Sequence, residues 1–357
     1  MKRTHVLLSA EAANTAATKT LDLDVADPIS RIIISYKPTN NGATPTAHPD
    51  KCITKVEIVD GSDVLFSTSG IEAKAAAILD GKNPSWPTLT YINNNVNTVL
   101  LSINFGRYLW DKALAFDARK FVNPQLKITH DLALGGSAPD AATLSVFLDL
   151  WTDENITPLG FLSLKELFTF SLVNDAVQMV DLPIDRPYRR LLVQSLSVDK
   201  QPYEQYNKLK LSIDSDSRVL LNDASTSDLL KFLDHNPTMT EHVHANIGNA
   251  TVNHFITPTY AIKGSLTGFG TAITGEQLNN LYGGNIEITA TSTGDVMALI
   301  HGGAPHGALN IPMGDQNTLE DWLNLIGRKK FEMKITAGSS VGTSSTCQVI
   351  GELLRKY

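Results

Sequence analysis

The amino-acid sequence predicts an all-β protein of two tandem β-sandwiches with short helices in the loops. Three observations carry that reading: short apolar runs broken by turn residues, period-two alternation within the runs, and recurrence of the whole pattern in the second half. The chain has 357 residues, more than one small core needs, and a prior of roughly 150 residues per domain gives two. Hydrophobic residues make up 42% and charged residues 19%, with 24 Gly and 16 Pro punctuating the runs. That is the texture of a globular chain rich in strands and turns.

The repeat is visible when the halves are laid together. Residues 21–34 read LDLDVADPISRIII and residues 180–193 read VDLPIDRPYRRLLV. At a constant offset of 159, Leu21 meets Val180, Pro28 meets Pro187, Arg31 meets Arg190, and Ile32–Ile34 meet Leu191–Val193. Each stretch predicts a short strand ending at Pro, followed by a nearly continuous apolar strand.

Next, VEIVDGSDVLFSTSGIEAKAAAILD (56–80) lies opposite LKLSIDSDSRVLLNDASTSDLLKFLD (209–234), one residue longer. Val56 and Ile58 alternate with Lys55 and Glu57, and Leu209, Leu211 and Ile213 alternate with Lys208, Lys210 and Ser212. Such alternation marks a strand with one buried face. Asp60-Gly61-Ser62-Asp63 and Asp214-Ser215-Asp216-Ser217 supply turn residues. Ser69 and Ser225 stand where the N-cap of a short helix is expected.

Both halves close alike: Leu126-Lys127-Ile128-Thr129 is answered by Met333-Lys334-Ile335-Thr336. A loop of small residues follows each, then a last strand at 144–151 or 346–354. Asn155–Gly160 reads as a linker, so the expected domains are 1–158 and 159–357. Between helix and closing hairpin the first copy has 45 residues (Gly81–Gln125) and the second 98 (His235–Glu332). Strands are expected in both intervals, at Val99–Ile103 and Asn285–Thr289. The excess is a long insertion at about 235–330, rich in Thr, Asn and Gly. Long insertions of this kind project as loops and carry recognition.

A net charge of −7 argues against a dominant nucleic-acid role. Lys2, Arg3, Arg355 and Lys356 are read as polar chain ends. Cys52 and Cys347 are too few for a disulfide framework or a four-ligand zinc site, and buried free thiols are expected. The first residues are too polar for a signal peptide, and no stretch approaches a membrane helix. The expectation is a soluble, cytosol-made chain in which the sequons at Asn155 and Asn249 go unused.

Periodicity does not separate a jelly roll from an immunoglobulin-like sandwich. The Pro-interrupted LDLDVADPISRIII, the paired-strand unit VEIVDGSDVLFSTSGIEA with its helix, and repetition of the whole resemble the double jelly-roll major capsid proteins of tailless icosahedral viruses. Tectivirus-like and corticovirus-like bacteriophages are among them. The resemblance is architectural and spans nearly the whole chain, although the long N-terminal helical segment of some members has no counterpart here. It implies two tandem jelly-roll sandwiches and a structural protein that is not an enzyme. It further implies a homotrimer forming a pseudo-hexameric capsomer in the icosahedral capsid of a virion, after synthesis in the host cytoplasm. The implied partners are neighbouring capsomers and minor capsid or penton proteins, with an internal membrane as a further contact and no sequence-specific nucleic acid. The Pro237–Gly283 part of the insertion is expected to project outward.

Sharper chemistry was weighed against this. His242-Val243-His244 puts two imidazoles on one side of a strand, as in a cupin metal site, but Ile247, Gly248 and Asn249 stand where that motif needs Glu. Pro305-His306-Gly307 starts the second cupin motif, and Ala308, Leu309 and Asn310 do not continue it. A metal site needs three or four convergent ligands. The glycine-rich GSLTGFGTAITG (264–275) lacks the Gly-Lys-Ser/Thr of a phosphate loop. Asp22 and Asp24 read as a solvated strand face, and Asp140, Asp153 and Glu154 as loop residues. The Phe105–Trp110 run and Trp151 read as core aromatics, and Arg189-Arg190 as a strand-end or inter-subunit ion pair. The expected catalytic, cofactor-binding and metal residues are therefore none. The alternative functions are a viral spike or carbohydrate- or receptor-binding sandwich and, further off, a bicupin-type metalloenzyme.

Overall fold

A computed structural model describes the chain except residues 42–44, 83–87, 137–138, 153–155, 248–249 and 270–276. The first half contains β1 (Lys2–Ala12), β2 (Ala17–Asp22), β3 (Ile29–Asn40), β4 (Ile53–Asp60), β5 (Asp63–Thr68), α1 (Gly70–Leu79), β6 (Thr88–Tyr91), β7 (Val99–Asn104), β8 (Pro124–His130) and β9 (Pro139–Trp151). The second continues with β10 (Gly160–Ser171), β11 (Val177–Asp181), β12 (Tyr188–Gln194), α2 (Pro202–Gln205), β13 (Tyr206–Ile213), β14 (Arg218–Ser225) and α3 (Thr226–Leu229). There follow β15 (Met239–Ile247), β16 (Ala250–Phe255), β17 (Tyr260–Phe269), β18 (Gln277–Tyr282), β19 (Asn285–Ala290) and β20 (Gly294–Gly303), then β21 (Ala308–Pro312), β22 (Phe331–Ala337) and β23 (Thr346–Lys356).

The strand order of the first half recurs in the second. One four-stranded sheet runs β1-β9-β3-β7, and facing it is the run β2-β8-β4-β5. In the second half β10-β23-β12-β21 faces β11-β22-β13-β14. Each is a jelly-roll sandwich, two sheets interleaved by long crossings. A parallel contact between β5 and β10, pairing Ser67 with Lys165, fuses two of the four sheets into one of eight strands.

Alternation along the strands fills separate cores. Ile32, Ile34 and Tyr36 on β3 and Leu126 and Ile128 on β8 are buried in the first sandwich. Leu191, Val193, Leu209, Leu211, Met333 and Ile335 are buried in the second. Val56 and Ile58 are buried as their alternation predicts, and Lys55 is exposed. The turns use the backbone freedom expected of them: Gly61 has φ +59°, and Asp214, Ser215 and Asp216 have φ +51°, +53° and +67°.

The third core belongs to the insertion. Strands β17-β20-β15 and β16-β19-β18 form two small sheets around Val243, Ile286, Ile288 and Ile300. The first half contributes to it: β6 pairs in parallel with β15, with Leu89 opposite Val243, and Leu89 and Tyr91 enter this core. Strand β21 lies inside the 235–330 span yet completes a jelly-roll sheet. The strands outside the jelly-roll order therefore run from Met239 to Gly303. Among the described residues no helix is long and apolar enough to cross a membrane.

Candidate functional site

The two sandwiches meet where α1 packs against β21 and the turn at Pro305–Gly307. The helix is locally determined. Ser69 Oγ accepts from the Glu72 backbone N–H at 3.2 Å, and Glu72 Oε2 accepts from the Ser69 N–H at 2.7 Å. This reciprocal cap satisfies two N–H groups the helix cannot. Ser225 holds the matching position before α3 without a side-chain capping bond. Ala73, Ala75, Ala76 and Ala77 are good helix formers, and their small side chains, all buried, let the helix approach closely. Gly70 is needed for the approach, since a Cβ there would lie 2.7 Å from the Asp50 carbonyl oxygen.

Beneath α1 the strands of the second sandwich alternate between two cores. Leu191 and Val193 face their own sandwich, while Arg190 and Leu192 face the first. Arg190 and Glu352 are directly opposite in the β12–β23 register. Arg190 donates to Glu352 from Nε at 2.9 Å and Nη2 at 3.0 Å, and Arg189 Nη1 donates to the same carboxylate at 2.6 Å. Asp80, just past α1, takes two bonds from Arg189 at 2.7 and 3.0 Å and lies 3.6 Å from Arg190. Arg190 Nη2 also donates to the Ala76 carbonyl at 3.2 Å, placing a cation at the carbonyl end of the helix. Lys82 completes the cluster through Asp80.

Burial pushes the carboxyls of Asp80 and Glu352 up, but the facing Arg190, Arg189 and Lys82 charges outweigh it and hold both below the ordinary range. Burial lowers Arg189, and Glu352 and Asp80 more than reverse this. The cluster is thus fully charged, buried and mutually paired. Removing one member strands a buried charge, which costs about 3–5 kcal/mol. Arg189-Arg190 is therefore an ion pair within one chain, joining its two sandwiches, in place of the strand-end or inter-subunit pair expected from sequence.

A second buried polar cluster ties in the insertion. His306 Nε2 lies 2.9 Å from Asp50 Oδ2, and His48 Nδ1 accepts from the Asp50 N–H at 3.2 Å. His48 Nε2 lies 3.2 Å from Thr257 Oγ1, which donates to Glu241 Oε1 at 2.7 Å. Burial pushes His48 down to about 3 against the pull of Asp50, so its ring is neutral near pH 7. Burial raises Glu241 to about 7. Ala304, His306 and Gly307 have φ +51°, +49° and +76°, a left-handed run that aims His306 inward. For the two non-glycine residues this costs on the order of 1–3 kcal/mol each, offset by the surrounding contacts.

His48, Asp50 and His306 are close enough to hold a divalent ion. Their donor set fits one poorly. The His48 Nδ1 lone pair already accepts the Asp50 N–H, and His306 Nδ1 has none of the partners that would orient a metal-bound imidazole. The arrangement works as a hydrogen-bonded clasp.

Sequence reasoning picked out His306 but not His48, Asp50, Thr257 or Glu241, which come together over separations of up to 256 residues. His242 and His244 are half-buried on β15 and take no part in that cluster. Asp22 and Asp24 are exposed, as a solvated face requires, and Asp140 is exposed at the start of β9 rather than in a loop. Asp153, Glu154, both sequon asparagines and the end of the glycine-rich stretch lie outside the described residues. Phe105 and Trp151 are core side chains, whereas Tyr108 is 52% exposed. Cys52 and Cys347 are buried free thiols, with Cys52 pushed up to about 12 by burial.

No protein-family model and no curated protein matches the sequence. Solved structures do. The major capsid protein P2 of bacteriophage PM2 superposes with TM-score 0.57 at 11% identity, over 100% of this chain and 98% of that one. The chain has the double jelly-roll fold. The PBCV-1 virus capsid shares it at TM-score 0.58 and 10% identity, over 99% of this chain and 93% of that one. So does a chain of Sulfolobus turreted icosahedral virus, at TM-score 0.58 and 12% identity, covering 99% and 90%. Identities this low make the likeness one of fold. The double jelly roll is nonetheless matched end to end, insertion included.

Proposed function

We propose that this chain is the major capsid protein of an icosahedral virus, a structural protein rather than an enzyme. It assembles as homotrimers that form the pseudo-hexameric capsomers of the shell. The observation that carries the reading is the end-to-end match of a double jelly roll to viral capsid proteins. Two sandwiches of the same strand order make each chain two similar wedges, so three chains present six around one axis. The proposed wedges are residues 1–158 and 159–357.

A shell subunit must hold its wedges at a fixed angle. The Arg189-Arg190-Asp80-Glu352 cluster, the shared sheet and the His306 clasp supply that rigidity. The insertion around β15–β20 is the outward projection. The partners are neighbouring capsomers and minor capsid or penton proteins, with an internal membrane below, and the location is the virion after synthesis in the host cytoplasm. Electron microscopy with protein mass analysis of particles containing the chain tests this. The chain is expected to make up most of the shell mass and to present pseudo-hexagonal units with the insertion outward. A minor component, or an inward-facing insertion, would contradict it.

A further inference from the structure

The duplication allows the seam between neighbouring chains to be read from the seam inside one chain. Within the chain, the edge of β5 meets the edge of β10, α1 packs against β21, Leu79 shares a core with Leu192 and Ile350, and Asp80 just past the helix bonds Arg189. Each partner in that seam has a copy that is left open. Strand β14, the counterpart of β5, is a sheet edge, and so is β1, the counterpart of β10. In the sequence repeat Ile78-Leu79-Asp80 stands opposite Phe232-Leu233-Asp234, which follows the shorter α3 as a turn. Ile78 and Leu79 are 8% and 6% exposed, whereas Phe232 and Leu233 are 54% and 60% exposed, and Asp234 is also exposed.

The receiving face is duplicated too. Arg31 opposes Asp149 in the β3–β9 register as Arg190 opposes Glu352 in β12–β23, and Arg31 Nε donates to Asp149 at 2.8 Å. The neighbours of Arg190 on that face, Leu192 and Ile350, are fully buried under the first sandwich. Their copies beside Arg31, Ile33 and Phe147, are only half-buried. Among the described residues, one exposed apolar-acidic patch and one half-buried apolar face around the Arg31–Asp149 pair thus lack the cover that their copies have.

We infer that Phe232, Leu233 and Asp234 of one chain dock on the Arg31, Ile33 and Phe147 face of a second copy, with Asp234 brought near Arg31 as Asp80 is brought within 3.6 Å of Arg190; Arg189, which donates to Asp80 directly, has Ser30 as its counterpart on that face. The occupant is a second copy because the matching face is this chain's own, in apolar neighbours and in strand register, with Arg31 held by Asp149 as Arg190 is held by Glu352. By the same correspondence, the edge of β14 near Asp223 meets the partner's β1 near His5. The contact is head-to-tail and closes after three copies, like the seam it repeats. The assignment rests on the trimer proposed above.

The test places one cysteine at Asp234→Cys and another at Arg31→Cys, with a short bismaleimide as cross-linker. Cys52 and Cys347 are fully buried, so they do not compete. The double variant is expected to give covalent dimers and trimers. A mixture of the two single variants is expected to give dimers, and each single variant alone none. Because Arg31→Cys also breaks a bond inside the chain, Asp234→Arg, at an exposed position, is measured by light scattering. It should weaken trimerisation roughly tenfold or more through like-charge contact with Arg31. A trimer that neither cross-links at reactive cysteines nor responds to Asp234→Arg overturns the seam and leaves the trimer standing. A wild-type chain that stays monomeric overturns the trimer itself, and the seam with it.

Discussion

The Arg190–Glu352 and Arg31–Asp149 pairs hold the same place in their two sandwiches but live in different surroundings. Arg190 and Glu352 are 2% and 5% exposed and share their charge with Arg189, Asp80 and Lys82. Asp149 is buried too, yet the Arg31 side chain keeps 17% of its surface, and its polar company is Thr4, which donates to Asp149 at 2.7 Å. The strand register that makes the pair is therefore common property of the repeat. What differs is the cover: α1 lies over one copy, and no described element lies over the other in the same way. An ion pair that is a clamp between strands becomes a joint between domains only when a second carboxylate, here Asp80, arrives from the other sandwich.

Four predictions sharpen that comparison, from the largest effect to the smallest. Glu352→Gln leaves two buried guanidinium groups to Asp80 alone and should cost about 3–5 kcal/mol by urea denaturation. Asp149→Asn in the half-covered copy should cost about 1–2 kcal/mol in the isolated chain. Equal losses at the two sites would show that cover by α1 is irrelevant.

The second prediction concerns Gly307, where a Cβ would meet the Ser195 carbonyl oxygen at 2.0 Å at φ +76°. Gly307→Ala should lower the melting temperature by several degrees, at roughly 1–2 °C per kcal/mol lost in a chain of this length. Gly327 has φ +88° and nothing near its Cβ position. Gly327→Ala should therefore cost only about 1 kcal/mol of backbone strain.

The third prediction is a pH dependence with two arms. Glu72, buried and hydrogen-bonded toward Glu166, is raised from 4.5 to about 8, and Glu241, chiefly by burial, from 4.5 to about 7. In the unfolded chain these carboxyls release protons first, so stability should fall as pH rises from about 4.5 to about 8. Glu72→Gln and Glu241→Gln should flatten that slope in melting curves. Asp80 and Glu352 have the opposite sign. Their contribution is complete above the ordinary carboxylate range and is lost as pH falls below it. Acid should therefore loosen the seam, and Glu352→Gln should reduce that sensitivity.

The fourth and smallest effect is at Arg355 and Asp63, an ion pair joining β23 to β5 with Asp63 half exposed. Asp63→Asn should cost no more than about 1 kcal/mol and less at high salt.

The sandwich framework was legible because it is written twice. Arg31 with Arg190, the closing Lys-Ile-Thr strands and the Ser69 cap all stand where the repeat puts them, since strand alternation and turn chemistry are local. The third core was hidden. Nothing in Thr88–Tyr91 marks it as a strand for the other half's insertion, because that pairing lies more than 150 residues away and is parallel. The His48–Asp50–His306 clasp was equally hidden, since it has no spacing motif and depends on left-handed backbone at Ala304 and His306. The role of Arg189-Arg190 was half legible: the ion pair could be expected, but its partners could not, because Asp80 and Glu352 flank it from opposite ends of the chain.

Light scattering of the purified wild-type chain across a dilution series tests the central claim most directly. A single species of three times the 38.8 kDa chain mass is expected, with the Asp234→Arg variant dissociating at roughly tenfold higher concentration than the wild type. A chain that remains monomeric at every concentration would contradict it.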